Sequence, residues 1–280
     1  MKLLYFHIGP GMNSNPEKNL LLEPFKEAGF DLLLWNEPSV LRNDNIDPHT
    51  NAFQQYLDAA EVFFLKLFNG EPLVIVGHSF GSHAVCYLEN RHPEKIKKVV
   101  FISSGLSLKN TDINIFTFVK KDFKKDRDKD NAATLQKCIK NYSGAFDSNT
   151  TKGFEMLIKN PRLFSYYWFN KDKMKAAMQL YNPPEFGIDL EGFFKVRQSW
   201  FERSYPKTIV PAIGIYGKHD IVVSNKVEQS ILIQQFPNFK IYELEKSGHF
   251  PHIEETEIVL QILKRELQPL DNTASDSKGN

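Results

Sequence analysis

VIVGHSFGSHAV, residues 74–85, is the stretch that decides the fold of this 280-residue chain. It runs from β-branched apolar side chains through a turn bounded by Gly77 and Gly81 into a segment of helical character. Ser79 lies between the two glycines, where a sharp strand-to-helix turn strains the backbone and exposes the hydroxyl. A Cβ at either glycine would collide with the crossing strand or helix. The stretch therefore predicts a buried strand, a tight turn that carries Ser79, and a helix.

Short apolar runs alternate with helical patterns over most of the chain, which is typical of a parallel sheet flanked by helices. Strands are predicted at residues 3–8, 30–35, 72–77, 96–103, 210–217 and 239–245. Helices are predicted at about 16–28, 50–68, 80–91, 224–236 and 252–267. The predicted class is α/β, with a mostly parallel sheet of about six strands.

The alternation breaks once, over residues 106–207. This interval holds a mixed-charge run at 119–130 and three aromatic-rich segments at 163–169, 191–194 and 199–201. Because so many aromatic side chains must be buried, we expect a helical lid packed across the strand ends. The predicted core is then 1–105 together with 208–268, and the polar residues 269–280 are expected to form a disordered tail.

Composition narrows the possible functions. With 41% hydrophobic residues the chain can bury a sizeable core, and a net charge of +1 gives no field that would recruit nucleic acid. No run reaches the roughly 18 apolar residues of a membrane span, and the first residues lack a signal-peptide pattern. The two cysteines, Cys86 and Cys138, have no metal-ligand spacing and are expected to be free thiols. We expect a cytoplasmic protein that acts on a small molecule.

Ser79 needs a base to act as a nucleophile, and the chain has eight histidines. His249, in KSGHFPHIEE, follows the last predicted strand in a loop at the carboxyl edge of the sheet, where ligand-facing loops lie. His252 is the competing candidate, but it falls in the first turn of the next helix and is expected to have a structural role. His249 is therefore the predicted base.

Asp220, in IYGKHDIVVS, follows the fifth predicted strand and is the predicted partner of His249. An aspartate that caps a turn or a helix is the alternative for this position. The Phe80 amide and the Gly9 amide, the latter favoured over Ile8, are the expected donors to an oxyanion. Turn chemistry alone is the alternative explanation of the Gly-Pro-Gly segment at residues 9–11.

Four segments, HIGPG, GHSFG, YGKHD and SGHFPH, make the chain resemble the α/β-hydrolase superfamily over about 1–105 and 208–268. The resemblance is to the lid-bearing branch that contains small esterases, carbon–carbon bond hydrolases and proline iminopeptidases. It implies that Ser79 is the nucleophile, Asp220 the orienting acid, His249 the base, and Gly9 with Phe80 the oxyanion donors, without a metal or an organic cofactor. Two features depart from the family: the sheet begins without two usual early strands, and Ile8 replaces a usual glycine.

The leading functional hypothesis is a serine hydrolase of a small ester or thioester with an apolar acyl group. The alternative within enzymes is a serine aminopeptidase of the proline iminopeptidase type, because HIGPG resembles the HGGPG of those enzymes. Such an enzyme needs lid carboxylates for the substrate ammonium, for which the candidates are Glu155, Glu185, Glu191 and Glu202. A third hypothesis, from another class, is a small-molecule receptor that keeps the triad with little turnover.

Overall fold

A computed structural model of the chain describes residues 1–37, 51–144, 146–181, 189–200, 206–223 and 225–267. Six strands form one sheet in the order β2-β1-β3-β4-β5-β6, and every neighbouring pair is parallel. The strands are β1 (Lys2–Phe6), β2 (Asp31–Trp35), β3 (Leu73–His78), β4 (Ile96–Ile102), β5 (Ala212–Gly217) and β6 (Lys240–Leu244). The predicted α/β class and six-stranded sheet are confirmed, and each predicted strand end lies within two residues of the observed one.

Eleven α-helices occur among the described residues. They are α1 (Asn15–Glu27), α2 (Ala52–Leu67), α3 (Gly81–Arg91), α4 (Leu108–Lys125), α5 (Lys129–Lys140), α6 (Ser148–Lys159), α7 (Lys171–Tyr181), α8 (Leu190–Gln198), α9 (Asn225–Gln235), α10 (Pro251–Glu254) and α11 (Thr256–Leu267). The predicted tail at 269–280 lies outside the described residues. Within the described ranges, no helix combines the length and the apolar character that a bilayer crossing needs.

The last predicted helix is divided into α10 and α11 at Glu255. The backbone of Glu255 is non-helical, with φ −126° and ψ 52°. Its side chain accepts hydrogen bonds from the Lys246 amide (2.9 Å) and the Ser247 hydroxyl (2.6 Å). The helical periodicity of the sequence does not register this break, because the break depends on contacts with the loop before α10.

The sheet separates two apolar cores, because side chains alternate across each strand. On one face, Leu4 and Phe6 of β1 and Ile75 of β3 pack with residues of α2 and α3. On the other face, Leu3 and Tyr5 pack with residues of α1 and α11. All six residues of β3 are buried, as expected of a parallel strand that is covered on both faces. This burial holds the residues at the end of β3 in a fixed place.

Helices α4 to α8 and a 3₁₀ turn, Leu163–Tyr167, lie between β4 and β5, in the interval where the sequence predicts a helical insertion. A third apolar cluster joins these helices to the sheet. In this cluster Phe116 and Leu157 pack with Tyr216, Val222 and Val223, which belong to β5 and the loop after it. Part of the insertion is therefore anchored beside the carboxyl end of β5.

Candidate active site

Ser79 lies in a strained turn between β3 and α3. Its φ is +51°, in the left-handed region that residues with a Cβ rarely adopt. The Ser79 amide donates to the Ile102 carbonyl at 2.9 Å, and its carbonyl accepts from Ser82 at 3.0 Å. The side chain is nearly buried, with 8% exposure. These backbone bonds fix the serine at the carboxyl edge of the sheet.

The two flanking glycines allow this turn to form. A Cβ on Gly77 would lie 2.8 Å from both Ser82 Cα and Val85 Cγ2. A Cβ on Gly81 would overlap the carbonyl oxygen of Phe6 and lie 2.7 Å from that of His7. Because real Cβ contacts are not this short, any other residue at either position would force strand and helix apart. The geometry agrees with the role that the sequence assigns to both glycines.

Asp220 and His249 form a buried pair. The Nδ1 atom of His249 lies 2.8 Å from Asp220 Oδ2, and both side chains have 0% exposure. The other carboxylate oxygen, Oδ1, accepts from the amides of Val222 (2.8 Å) and Val223 (3.2 Å). Asp220 therefore holds the imidazole and also stabilises its own turn, so both alternatives for this residue occur together.

The second ring nitrogen of His249, Nε2, is buried and has no hydrogen-bond partner among the described residues. A carboxylate acceptor at Nδ1 places the ring proton on Nδ1, which leaves the Nε2 lone pair available to accept a proton. The His249 amide donates to the Tyr167 carbonyl at 2.7 Å, so the residue is held through its backbone as well.

The loop that carries His249 is tied down by Glu254 of α10. The Glu254 carboxylate accepts from the amides of Gly248 (2.8 Å), Phe169 (2.8 Å) and Asn170 (2.6 Å). Burial raises the pKa of this carboxyl above its usual value, and the amide hydrogen bonds oppose the shift. Glu254 thus connects the loop after β6 to the insertion between β4 and β5. Sequence analysis did not identify this residue.

His78, the residue before Ser79, connects the serine turn to the histidine loop. Its Nε2 lies 2.8 Å from the carbonyl oxygen of His249. Burial lowers the pKa of His78 well below its usual value, and the neighbouring His252 lowers it further. The neutral ring can therefore donate its Nε2 proton to the His249 backbone.

His252 belongs to a buried polar cluster beneath this connection. The Tyr5 hydroxyl lies 2.9 Å from Glu17 Oε1, 3.0 Å from His252 Nε2 and 3.2 Å from His78 Nδ1. Among the described residues, one group of histidine and carboxylate side chains could hold a metal ion. It consists of Glu17, His78 and His252, whose ligand atoms lie within 4.8 Å of one another. The Tyr5 hydroxyl oxygen lies within hydrogen-bonding distance of each of the three. His252 lies in this cluster, and its contacts do not include Asp220.

Ser79, Phe80 and Gly9 line one small cavity of about 70 Å³. Asp220 and His249 are not part of its lining, but Val222 and Tyr167 are. Val222 donates its amide to Asp220, and the Tyr167 ring lies 5.5 Å from the ring of His249. The serine and the two predicted oxyanion donors therefore face one space, with the histidine–aspartate pair next to its wall.

A larger cavity of about 380 Å³ adjoins the small one. The two share the lining residues Ile8, Gly9, Phe154, Tyr167 and Phe193. The larger cavity is lined mainly by apolar side chains of α6, α7, α8 and the 3₁₀ turn. An open depression of about 700 Å³ elsewhere, beside α1 and α11, contains none of the predicted site residues.

A buried ion pair that sequence analysis missed also lines the small cavity. Arg197 of α8 donates from Nη2 to both oxygens of Asp112 of α4, at 2.6 and 2.5 Å. The Tyr142 hydroxyl donates to the same carboxylate at 2.7 Å. Burial raises the pKa of Asp112, and the charge of Arg197 opposes the shift. No local pattern relates the two residues, because they lie on separate helices far apart in the chain.

Of the four carboxylates proposed for the aminopeptidase hypothesis, the two that the structure describes line neither of these cavities. Glu155 is exposed, and Glu191 is exposed and paired with Lys195 at 2.8 Å. Glu185 and Glu202 lie outside the described residues. Glu37, which sequence analysis did not consider, is buried beside the predicted oxyanion loop and accepts from the Gly11 amide at 3.0 Å.

Comparison with known proteins agrees with the observed fold. A family model for the alpha/beta hydrolase fold matches residues 2–256. The probable aminopeptidase YbaC of Bacillus subtilis is 20% identical in an alignment that covers 94% of this chain and 87% of the relative.

Two solved structures are similar in fold. An esterase from Exiguobacterium antarcticum superimposes with a TM-score of 0.60 at 14% identity, covering 96% of this chain and 92% of the esterase. A proline iminopeptidase-related protein from Thermus thermophilus gives a TM-score of 0.63 at 14% identity, covering 94% and 88%. At these identities the likeness concerns the fold.

Proposed function

The chain belongs to the α/β-hydrolase family, and from this premise we propose that it is a serine hydrolase that cleaves a small carboxylic ester or thioester through an acyl-enzyme on Ser79. The observation that carries the proposal is the buried Asp220–His249 pair, whose free Nε2 lies at the same sheet edge as the strained serine. A histidine oriented in this way by a carboxylate is what a serine needs to lose its proton.

The reaction proceeds in two halves. In the first, the Ser79 hydroxyl attacks the substrate carbonyl while His249 Nε2 takes its proton, and Asp220 stabilises the charged imidazole. The Phe80 and Gly9 amides donate to the oxyanion, and His249 then protonates the leaving group as the acyl-enzyme forms. In the second half, water repeats the sequence and restores the serine. Each step uses groups of this chain and water.

The substrate class follows from the two cavities. The 380 Å³ space with its aromatic and aliphatic lining suits an apolar chain, and it opens next to Gly9, where the oxyanion would lie. In this proposal the helices of residues 106–207 act as a lid over the strand ends. The enzyme is expected to work in the cytoplasm.

Replacing Ser79 tests the proposal directly. Ser79→Ala should abolish turnover of p-nitrophenyl esters graded by acyl length, and should abolish labelling by a fluorophosphonate. Ser82→Ala is the matched control, because this buried serine lies three residues further along and its hydroxyl contacts the Gly77 carbonyl at 3.4 Å. Full activity of the Ser79→Ala variant would overturn the proposal.

A serine aminopeptidase is the second candidate, because the Bacillus subtilis relative is named a probable aminopeptidase. Against it, Glu155 and Glu191 face solvent, and Asp112, the one carboxylate among the described residues that line the small cavity, is engaged by Arg197. Turnover of proline anilides without turnover of short esters would reverse this ranking. Labelling of Ser79 without turnover of either class would favour a small-molecule receptor.

A further inference from the structure

The Arg197–Asp112 pair shapes the space in front of Ser79. The two side chains are 5% and 1% exposed, so both charges are removed from water. The guanidinium carbon of Arg197 lies 5.1, 5.3 and 5.9 Å from the ring centres of Phe146, Phe154 and Phe193. The cation is therefore enclosed by aromatic rings and one carboxylate, and its position is fixed.

Donors of this guanidinium other than Nη2 make no hydrogen bond among the described residues. Both hydrogen bonds to Asp112 come from Nη2, whereas Nε is buried and has no partner among the described residues. A buried donor without an acceptor is costly, and more so when it carries charge. Because Arg197 lines the small cavity, an oxygen atom placed there meets the guanidinium group.

The size and the charge of the cavity limit what can bind. A space of about 70 Å³ holds about two water-sized groups, since one water occupies about 30 Å³. Asp112 already neutralises Arg197, so a substrate carboxylate would meet a second carboxylate, and an ammonium would meet the guanidinium. A short, uncharged group with an oxygen acceptor satisfies a free donor without either repulsion.

We propose that the small cavity is a subsite for a short, uncharged, hydroxyl- or carbonyl-bearing arm of the substrate, which accepts a hydrogen bond from the Arg197 guanidinium. The other, apolar arm occupies the 380 Å³ cavity, so the preferred substrate is an amphiphilic ester. This inference rests on the proposed hydrolase function and adds the polarity of the two arms.

Two pairs of esters test the subsite, and within each pair a hydroxyl replaces a methyl group of similar size. The first pair is octyl glycolate and octyl propanoate, which places the polar arm on the acyl side. The second pair is 2-hydroxyethyl octanoate and propyl octanoate, which places it on the alcohol side. Each kcat/KM is divided by the rate of hydroxide-catalysed hydrolysis of the same ester, so that intrinsic reactivity cancels. In the wild type, the corrected kcat/KM of one hydroxy ester should exceed that of its methyl partner by about tenfold or more. This factor corresponds to the free energy that a hydrogen bond to a charged group contributes.

Arg197→Lys is the informative variant, because lysine keeps a cation for Asp112 but lacks the planar guanidinium and its additional donors. The hydroxyl preference should fall to near unity in this variant. Arg91→Lys is the matched control, since Arg91 forms a surface pair with Glu61 and lies outside both cavities; it should keep the wild-type ratio. Fluorophosphonate labelling of Ser79 checks that each variant remains folded.

Different results of these assays would refute the subsite and the proposed hydrolase function. Equal corrected rates for both members of both pairs in the wild type would overturn the subsite and leave the hydrolase proposal standing, whatever the variant does. A preference that survives in Arg197→Lys would also overturn it. Failure of the wild type to hydrolyse any of the four esters, with no labelling of Ser79, would overturn the proposed function itself.

Discussion

Replacing Asp220 by asparagine should remove the charge that stabilises the imidazolium and should also select the wrong imidazole tautomer, because the structure dictates how the new side chain must lie. Asp220 Oδ1 accepts from the amides of Val222 and Val223, so the single oxygen of asparagine is required there. The amide nitrogen then faces Nδ1 of His249, in the place of Oδ2. Since that nitrogen is a donor, it selects the imidazole tautomer with its proton on Nε2. This tautomer cannot accept the serine proton.

The magnitude follows from the same contact. Two unit charges about 4 Å apart interact by about 4 kcal/mol at an effective dielectric constant of 20, which suits a buried pair. Loss of this stabilisation of the imidazolium corresponds to about three decades in rate, at 1.36 kcal/mol for each decade. The wrong tautomer adds to the loss, and the same substitution in a serine protease triad costs about 10⁴ in kcat. We therefore expect kcat/KM to fall by about 10³–10⁴.

The assay is the steady-state hydrolysis of a p-nitrophenyl ester, together with nitrogen-15 chemical shifts of the His249 ring to identify the tautomer. Asp147→Asn is the control, because Asp147 also accepts from a backbone amide in a turn, that of Thr150 at 2.9 Å, but pairs with no imidazole. An Asp220→Asn variant that keeps activity within tenfold of the wild type would refute the reasoning. So would a ring that remains protonated on Nδ1.

Three further substitutions test the surrounding structure. Gly81→Ala should lower the free energy of unfolding in urea by about 1–3 kcal/mol or more, because the added methyl overlaps the Phe6 carbonyl; Gly105→Ala, whose methyl meets nothing closer than 3.6 Å, should be close to neutral, and equal effects would contradict the explanation. His252→Ala should cost about 2–4 kcal/mol of stability through a cavity and lost hydrogen bonds to the buried cluster, while the folded fraction keeps kcat/KM within tenfold; inactivation of His252→Ala but not of His249→Ala would mean that the base is His252. Burial raises the pKa of Glu266, but hydrogen bonds from Lys98, Tyr242 and Lys240 outweigh burial and bring this pKa down to about 2 from its usual 4.5. The stability that ionised Glu266 contributes is therefore complete above about pH 4.5 and is lost as the pH falls towards 2. The free energy of unfolding in denaturant should therefore fall more steeply between pH 5 and pH 2.5 for the wild type than for Glu266→Gln. Parallel curves would contradict the role given to Glu266.

The sheet could be predicted from the sequence because its signals are local. Strands that are buried on both faces read as continuous apolar runs, and the helices between them keep a regular apolar period. The turn at Ser79 is also local, since its two glycines and its strained φ depend on immediate neighbours. The Asp220–His249 contact could be inferred because both residues follow neighbouring parallel strands, β5 and β6, whose carboxyl ends meet at one edge.

The insertion could not be predicted to the same depth. Its aromatic content indicates burial, but which side chains face the cavity depends on how helices α4 to α8 pack on one another. The Arg197–Asp112 pair joins two of these helices, and nothing near either residue in the chain marks it as buried. Similarly, Glu254 and Glu255 resemble ordinary helix residues, although their carboxylates hold the loop that precedes His249.

The distribution of the site over β3, β5 and β6 has a consequence for biosynthesis. Chains emerge from the ribosome amino terminus first, and the early strands can begin to assemble while later residues are still being added. Ser79 leaves the ribosomal tunnel long before His249, so a nascent polypeptide carries the alcohol without the imidazole. In the proposed mechanism, translation must therefore pass beyond β6 and His249 before any chemistry can begin.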